Sequence, residues 1–169
     1  EAPKKDIQAA KSKGAKIVVV HFNWNTTLKD SWNACTSQVQ TARAAVDNGA
    51  NLVFGSHVGT MQAIEQYNGV SIVYSAGNLF SKNSGEENSF LFQQAFTLDE
   101  NQNAVPGQIH VFPLTGSGSS EGIPSIALDS ASAKTFGNLI VNYSRQIRNG
   151  VGKKAAFTLE HLNLISIQK

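Results

Sequence analysis

The chain has 169 residues with 41% hydrophobic content, enough for one domain with a real core rather than two. Its 14 basic and 12 acidic residues leave a net charge of +2 and no long basic run, which excludes a nucleic-acid binder held by electrostatics. No apolar run approaches the length of a bilayer crossing, which excludes a helical membrane span within it.

Charged residues make up only 15%, so the polar surface leans on Ser, Asn, Gln and Thr, as on many exported proteins. Cys35 stands alone, with no disulfide framework and no CxxC knuckle, and reads as a small buried filler between Ala34 and Thr36. The chain begins at Glu1 without Met or a signal-like apolar stretch, as a processed chain, an excised piece or a fragment would.

Asp6 to Lys13 reads as the end of a helix closed by Gly14. KIVVVHF is a continuous β-branched run, which predicts a strand buried on both faces. Asn23 to Cys35 has no period and is rich in turn formers, so a loop is expected. TSQVQTARAAVDNG predicts a helix capped by Thr36 or Ser37, with a stripe of Val39, Ala42 and Val46 and an end at Gly49. NLVFG follows as a second buried strand, and the order strand, loop, helix, strand favours parallel pairing.

The pattern then turns antiparallel. AIEQY and VSIVYS flank Asn68-Gly69, a hairpin signal because both turn positions want positive φ. SFLFQQAFTLD and AVPGQIHVFPL flank a second turn at Glu100 to Asn103. Thr115 to Gly122 reads as a flexible surface loop; it lacks the GxGxxG or Lys-Ser/Thr ending of a phosphate cradle. A helix from Ser130 puts Phe136, Leu139, Ile140 and Tyr143 on one side, and AAFTLEHLNLISIQK suits a last strand or short strand pair. No internal repeat is seen, so residues 1–169 read as a single α/β domain with a mixed sheet.

Two histidines close two adjacent strands, His21 in VVVHFNWN and His57 in VFGSHVG. Residues just past parallel strand ends line the crevice where α/β sheets bind ligands. Imidazoles on neighbouring strands, about 5 Å apart, can share a metal ion. By composition and spacing alone, the plainer reading is that each is a hydrogen-bonded histidine in a tight turn. In SAGNLFS, Gly77 and Asn78 suggest a special turn, with Asn78 bonding its own backbone or pointing at a site. His110 and His161 read as ordinary strand residues, while Trp24 and Trp32 either stack on a substrate or pin a long loop.

The order KGAKIVVVHFNWN, then QVQTARAAVDNGANLVFGSHVGTMQAIEQYNGVSIVYSAGNLF, resembles the C-terminal half of the CapA-type capsule (poly-γ-glutamate) synthesis proteins. These belong to the calcineurin-like metallophosphoesterase superfamily. Their pattern is a strand ending His-Trp-Gly with a Glu shortly after, a helix ending Gly-Ala-Asp, and a strand leading to Gly-His-His-Pro-His. Gln-x-x-Glu-x-Tyr-x-Gly and Tyr-Ser-Leu-Gly-Asn-Phe follow. The likeness spans Asp6 to Ser81, is gapless from Ala42 to Phe80, and continues more loosely to the helix near Ile147.

The resemblance implies that His21 and His57 are metal ligands and that Asn23, Asn25 and Asn78 lie on the substrate side. It implies divalent ions (Mn, Mg, Zn or Fe) and metal-assisted hydrolysis. The departures are equally specific. The second histidine of His-Pro-His falls on Gly59, the family's Trp-Gly is Phe22-Asn23, and its Glu is Asn25. The superfamily's Asp-x-His, Gly-Asp and Asn-His motifs are absent from this chain. Divalent sites of this kind take four to six ligands, so the metal set is incomplete here.

The reading is therefore the C-terminal half of a metallophosphoesterase-like α/β sandwich, with the N-terminal half of the family fold as its expected partner. The resemblance implies capsule or poly-γ-glutamate synthesis or export at the bacterial cell surface, with membrane attachment through a segment outside this chain. A surface polyanion and capsule-synthesis membrane proteins are the further partners implied, and no nucleic acid. The rival is a degenerate domain that binds a surface polymer or a partner protein. Asn25-Thr26-Thr27 and Asn142-Tyr143-Ser144 are glycosylation sequons by pattern, idle in a bacterium.

Overall fold

The computed structural model describes residues 2–24, 32–79, 89–115, 125–126, 130–147 and 163–164. Helix α1 (Ala2–Ser12) buries Ile7 and ends at Gly14, whose φ is +92°. The Ala15 N–H reaches back to the Ala10 carbonyl at 3.1 Å. Helix α2 (Thr36–Asp47) ends on the same device: Gly49 has φ +100° and the Ala50 N–H donates to the Ala45 carbonyl at 3.0 Å. Both closures need a left-handed residue, which glycine supplies without strain.

Strands β1 (Val19–Asn23), β2 (Leu52–Ser56), β3 (Ile64–Tyr67) and β4 (Val70–Val73) form one sheet in the order β1-β2-β4-β3. β1 and β4 both run parallel to β2, and β3 returns antiparallel to β4 through Asn68 (φ +50°) and Gly69 (φ +79°). The parallel unit and the hairpin thus follow the sequence pattern. The burial of β1 does not: it alternates exposed and half-buried residues. β1 is the sheet's edge, so its β-branched run is covered on one face and open along its length.

The second sheet holds β5 (Ser89–Leu98), β6 (Ala104–Thr115) and β7 (Ser125–Ile126), with β8 (Asn163–Leu164) parallel to β6. Asp99 closes the β5–β6 turn by accepting from the backbone N–H groups of Asn101 (2.9 Å) and Asn103 (2.7 Å). The bonds from Asn103 hold its carboxyl below the usual carboxylate range.

The first sheet has a core on each face. On one, Val53, Ile72 and Tyr74 meet Val39, Ala42 and Val46 of α2 and Ile7 of α1. On the other, Ile64 and Val73 meet Phe90, Ile109 and Val111 of the second sheet and Phe136, Ile140 and Val141 of helix α3 (Ser130–Ile147). The apolar side expected of α3 is the one it buries. Ser144 accepts from the Ile64 N–H at 3.3 Å and lies 2.7 Å from the Ile64 carbonyl, so α3 satisfies the outer edge of β3.

Cys35 corrects two expectations. It, rather than Thr36 or Ser37, occupies the N-cap of α2, and it is half-exposed rather than buried. The Gln38 Oε1 accepts from its backbone N–H at 2.9 Å, which fixes the helix entry. Burial pushes the thiol up, but the Ser37 hydroxyl and first-turn N–H groups outweigh it and hold Cys35 below its ordinary value. Thr115, the expected start of the Thr115–Gly122 loop, is instead the last residue of β6; the rest of that stretch, His161 and most of the last strand lie outside the described residues.

Candidate functional site

Because β1, β2 and β4 are parallel, their carboxyl ends open onto one rim. His21 is the middle residue of β1 and exposed, not a terminal residue of a buried strand. Its ring stacks on Phe54 of β2 with centroids 4.5 Å apart and planes at 18°. Its Nε2 lies 2.8 Å from the Ser56 hydroxyl, so the imidazole leans along the sheet toward the rim.

His57 lies just beyond β2, exposed, with φ +78°. That left-handed conformation is uncommon outside glycine, although histidine is among the residues that adopt it more often. The register pairs His21 with Phe54 and Asn23 with Ser56. His57 is therefore offset from His21 by about 10 Å along the strand at about 3.3 Å per residue. Adjacent strands do not by themselves place the two imidazoles side by side; the Ser56 hydroxyl is what His21 reaches.

The rest of the rim comes from two interlocked turns. The Gln62 N–H donates to the Ser75 carbonyl at 3.0 Å, and Met61 bridges Ala76. This holds Gly59 (φ +82°) against the 75–79 turn, where Gly77 has φ +80°. A Cβ added at Gly59 would come 3.8 Å from the Asn78 Nδ2. Asn78 thus stands beside Gly59, the position that the resemblance sets against a histidine. Asn23 is exposed on β1, and Asn25 lies outside the described residues.

Behind the rim lies a polar chain that residue-type reading alone did not reveal. The Trp24 Nε1–H donates to the Tyr74 carbonyl at 2.8 Å. The Tyr74 hydroxyl donates to Glu65 Oε2 at 2.7 Å, and Arg43 Nε donates to Glu65 Oε1 at 2.9 Å. Arg43 also lies 5.0 Å from the centre of the Tyr67 ring. Burial, with the Glu65 carboxylate beside it, pushes the Tyr74 phenol far above its usual value. Gln62 is buried and accepts from Gln38 at 3.1 Å. Of the Gln-x-x-Glu-x-Tyr positions, Gln62 and Glu65 are thus engaged inside the molecule, while Tyr67 is half-buried and its hydroxyl donates to Asp47 Oδ2 at 3.2 Å. The legible signal was an ionisable residue in an apolar strand, which must find a counter-charge.

Trp24 is buried directly after β1. Trp32 is 39% exposed and packs at a tilt on Tyr143. Thr60 adds a buried hydroxyl without a partner among the described residues.

Among the described residues no three of His, Cys, Asp and Glu gather as a metal site. The side chains present do not by themselves fit a two-ion centre: among the described residues His21 and His57 gather no third such donor, and Gly59 offers none.

The model of the family described as "Bacterial capsule synthesis protein PGA_cap" matches residues 1–83, the stretch that carries both histidines, the rim and the buried polar chain. The "PGA biosynthesis protein CapA" of Bacillus subtilis (strain 168) is 30% identical over 160 residues, covering 88% of this chain. The chain belongs to the CapA-type capsule synthesis family. It spans 37% of the length of that CapA protein. Residues 1–83 hold all of the first sheet of this CapA-type chain, so the family match falls on the layer that builds the rim.

Proposed function

We propose that the chain acts in capsule or poly-γ-glutamate synthesis or export at the bacterial cell surface. The observation that carries this reading is the likeness to the CapA protein along 88% of the chain. Its rim, with His21, His57, Asn23 and Asn78, is the chain's contribution to a shared site. The remaining groups come from the rest of the family fold, which docks along the open edge of β1. Exposed Ile17 (41%) and Val19 (47%) on that side support the docking, because an uncovered apolar strand edge is an association hazard unless paired. A divalent ion and hydrolysis belong to this reading only with ligands from outside the chain. Attachment to the membrane would likewise come from elsewhere, since no described helix is long and apolar enough to cross one.

A second reading is a domain that binds a polymer or partner without catalysis. It is favoured by Gly59, which offers no ligand where the resemblance places a histidine.

The test is complementation. A poly-γ-glutamate producer lacking its CapA protein receives the complete protein that carries this segment, and surface polymer is measured. Restored polymer is the expected outcome; none would refute the capsule role. Elemental analysis of the purified complete protein then separates the two readings. Bound transition metal that His57→Ala removes supports the hydrolase, and a metal-free protein that still restores polymer supports the binding domain.

A further inference from the structure

Asn-Gly occurs at positions 48–49, 68–69 and 149–150, the last outside the described residues. In this pair an asparagine carboxamide is most open to attack by its own backbone, because glycine puts no side chain in the way of the nitrogen that follows. The structure sets the first two pairs apart. At the end of α2 the Asn48 Nδ2 donates to the Ala44 carbonyl at 2.6 Å, and the Gly49 N–H donates to the Val46 carbonyl at 2.8 Å. Both groups that would have to react are therefore tied to the helix.

At the tip of the β3–β4 hairpin the backbone is open instead. Asn68 and Gly69 are exposed, and the Gly69 N–H has no acceptor among the described residues. The space where a Cβ would stand on Gly69 is empty of neighbours. Here it is the side chain that is held: Asn68 Nδ2 donates to Asp47 Oδ1 at 3.1 Å. Asp47 Oδ2 accepts from the Tyr67 hydroxyl at 3.2 Å, so one exposed carboxylate clasps the hairpin to the end of α2.

We propose that Asn68 is a deamidation site that Asp47 restrains. The Gly69 nitrogen gives up its proton to water or hydroxide and attacks Asn68 Cγ. The new N–Cγ bond closes a succinimide ring as the Cγ–Nδ2 bond breaks, and the nitrogen leaves as ammonia. Water then opens the ring at either carbonyl, leaving aspartate or isoaspartate at position 68. Asp47 opposes this in two ways: its bond to the carboxamide must break first, and its charge disfavours the anionic nitrogen. The product carries a carboxylate where Nδ2 donated, so two like charges replace a hydrogen bond and the clasp opens. This site is separate from the rim and does not depend on the capsule or metal reading.

The experiment is peptide mapping by mass spectrometry of the complete protein that carries this segment, held at mildly alkaline pH either folded or in urea. In the folded protein Asn68 should exchange its NH2 for OH at least about tenfold faster than Asn48, the factor that the bonds at Asn48 and Gly49 are worth. In urea the two rates should converge, because both are then unstructured Asn-Gly pairs. Asp47→Ala should speed Asn68 in the folded protein at least about threefold, and Asn68→Asp should lower the urea midpoint. Should Asp47→Ala fail to fold, the comparison of folded parent with parent in urea carries the test. Equal rates at Asn68 and Asn48 in the folded protein, or a difference that persists in urea, would overturn the proposal. So would an unchanged Asn68 rate in folded Asp47→Ala, or an Asn68→Asp protein with the parent's urea midpoint.

Discussion

The indole of Trp24 crosses strand β2 to donate its Nε1–H to the backbone carbonyl of Tyr74, at 2.8 Å and 50 residues away in sequence. The crossing is open only because position 55 is glycine. A Cβ there would overlap the Trp24 indole nitrogen and stand 2.5 Å from the Tyr74 oxygen. Gly55→Ala is expected to destabilise the chain by about 1–3 kcal/mol through overpacking. Trp24→Phe, which orphans the buried carbonyl, should cost about as much. Denaturant unfolding of both variants checks this; a neutral Gly55→Ala would mean that the indole has another seat.

The Arg43–Glu65 pair is almost wholly removed from solvent, at 7% and 0% side-chain exposure. Arg43→Met leaves a buried carboxylate without its counter-charge and should cost about 3–5 kcal/mol. The double variant Arg43→Met/Glu65→Leu should recover much of that loss, because no charge is then stranded. Urea midpoints of the single and double variants form the measurement. A double variant no more stable than the single would show that Glu65 tolerates solitude.

Tyr74 gives a pH dependence of definite sign. Folding raises its pKa, first by burial and then by the Glu65 carboxylate, so the folded state favours the protonated phenol. The stability that this contributes is complete below the ordinary tyrosine value of about 10 and is lost as pH climbs above it. The parent chain should therefore lose stability above that pH more steeply than Tyr74→Phe. Parallel slopes in the two melting-temperature profiles would refute the assignment.

His57 holds a left-handed backbone that costs a side-chain-bearing residue about 1–2 kcal/mol. His57→Gly relieves that strain but adds about 0.5–1 kcal/mol of chain entropy. The net change should lie between neutral and about 1.5 kcal/mol stabilising. A residue kept under strain without structural benefit points to a role at the rim. Destabilisation of His57→Gly by more than about 1 kcal/mol would instead make it a structural turn residue, measurable in the same unfolding assay.

Val19, on the open β1 edge, separates stability from assembly. Val19→Lys should change the stability of the chain by no more than about 0.5 kcal/mol, because the site is exposed. It should weaken co-purification with the remainder of the family fold, since a lysine on a strand edge opposes pairing. Unchanged co-purification would place the partner on another face.

The sequence by itself determined the elements, because their causes are local. Gly14 and Gly49 end helices by supplying left-handed backbone, Asn68-Gly69 sets a hairpin, and helical spacing marks the buried side of α3. It also placed His21 in one, and His57 just past the other, of two neighbouring parallel strands, since a strand–helix–strand unit of this kind pairs in parallel. Only the tertiary structure decided what those residues do next. Register, which no single strand encodes, offsets the two histidines and gives His21 the Ser56 hydroxyl. Sheet order made β1 an edge although its composition is that of a central strand, because burial depends on neighbours that the run VVV cannot name. The Arg43–Glu65–Tyr74 chain and the Asp47–Asn68 clasp join residues from different elements. Their pairing is fixed by how the layers stack, a long-range geometry with no local sequence signature.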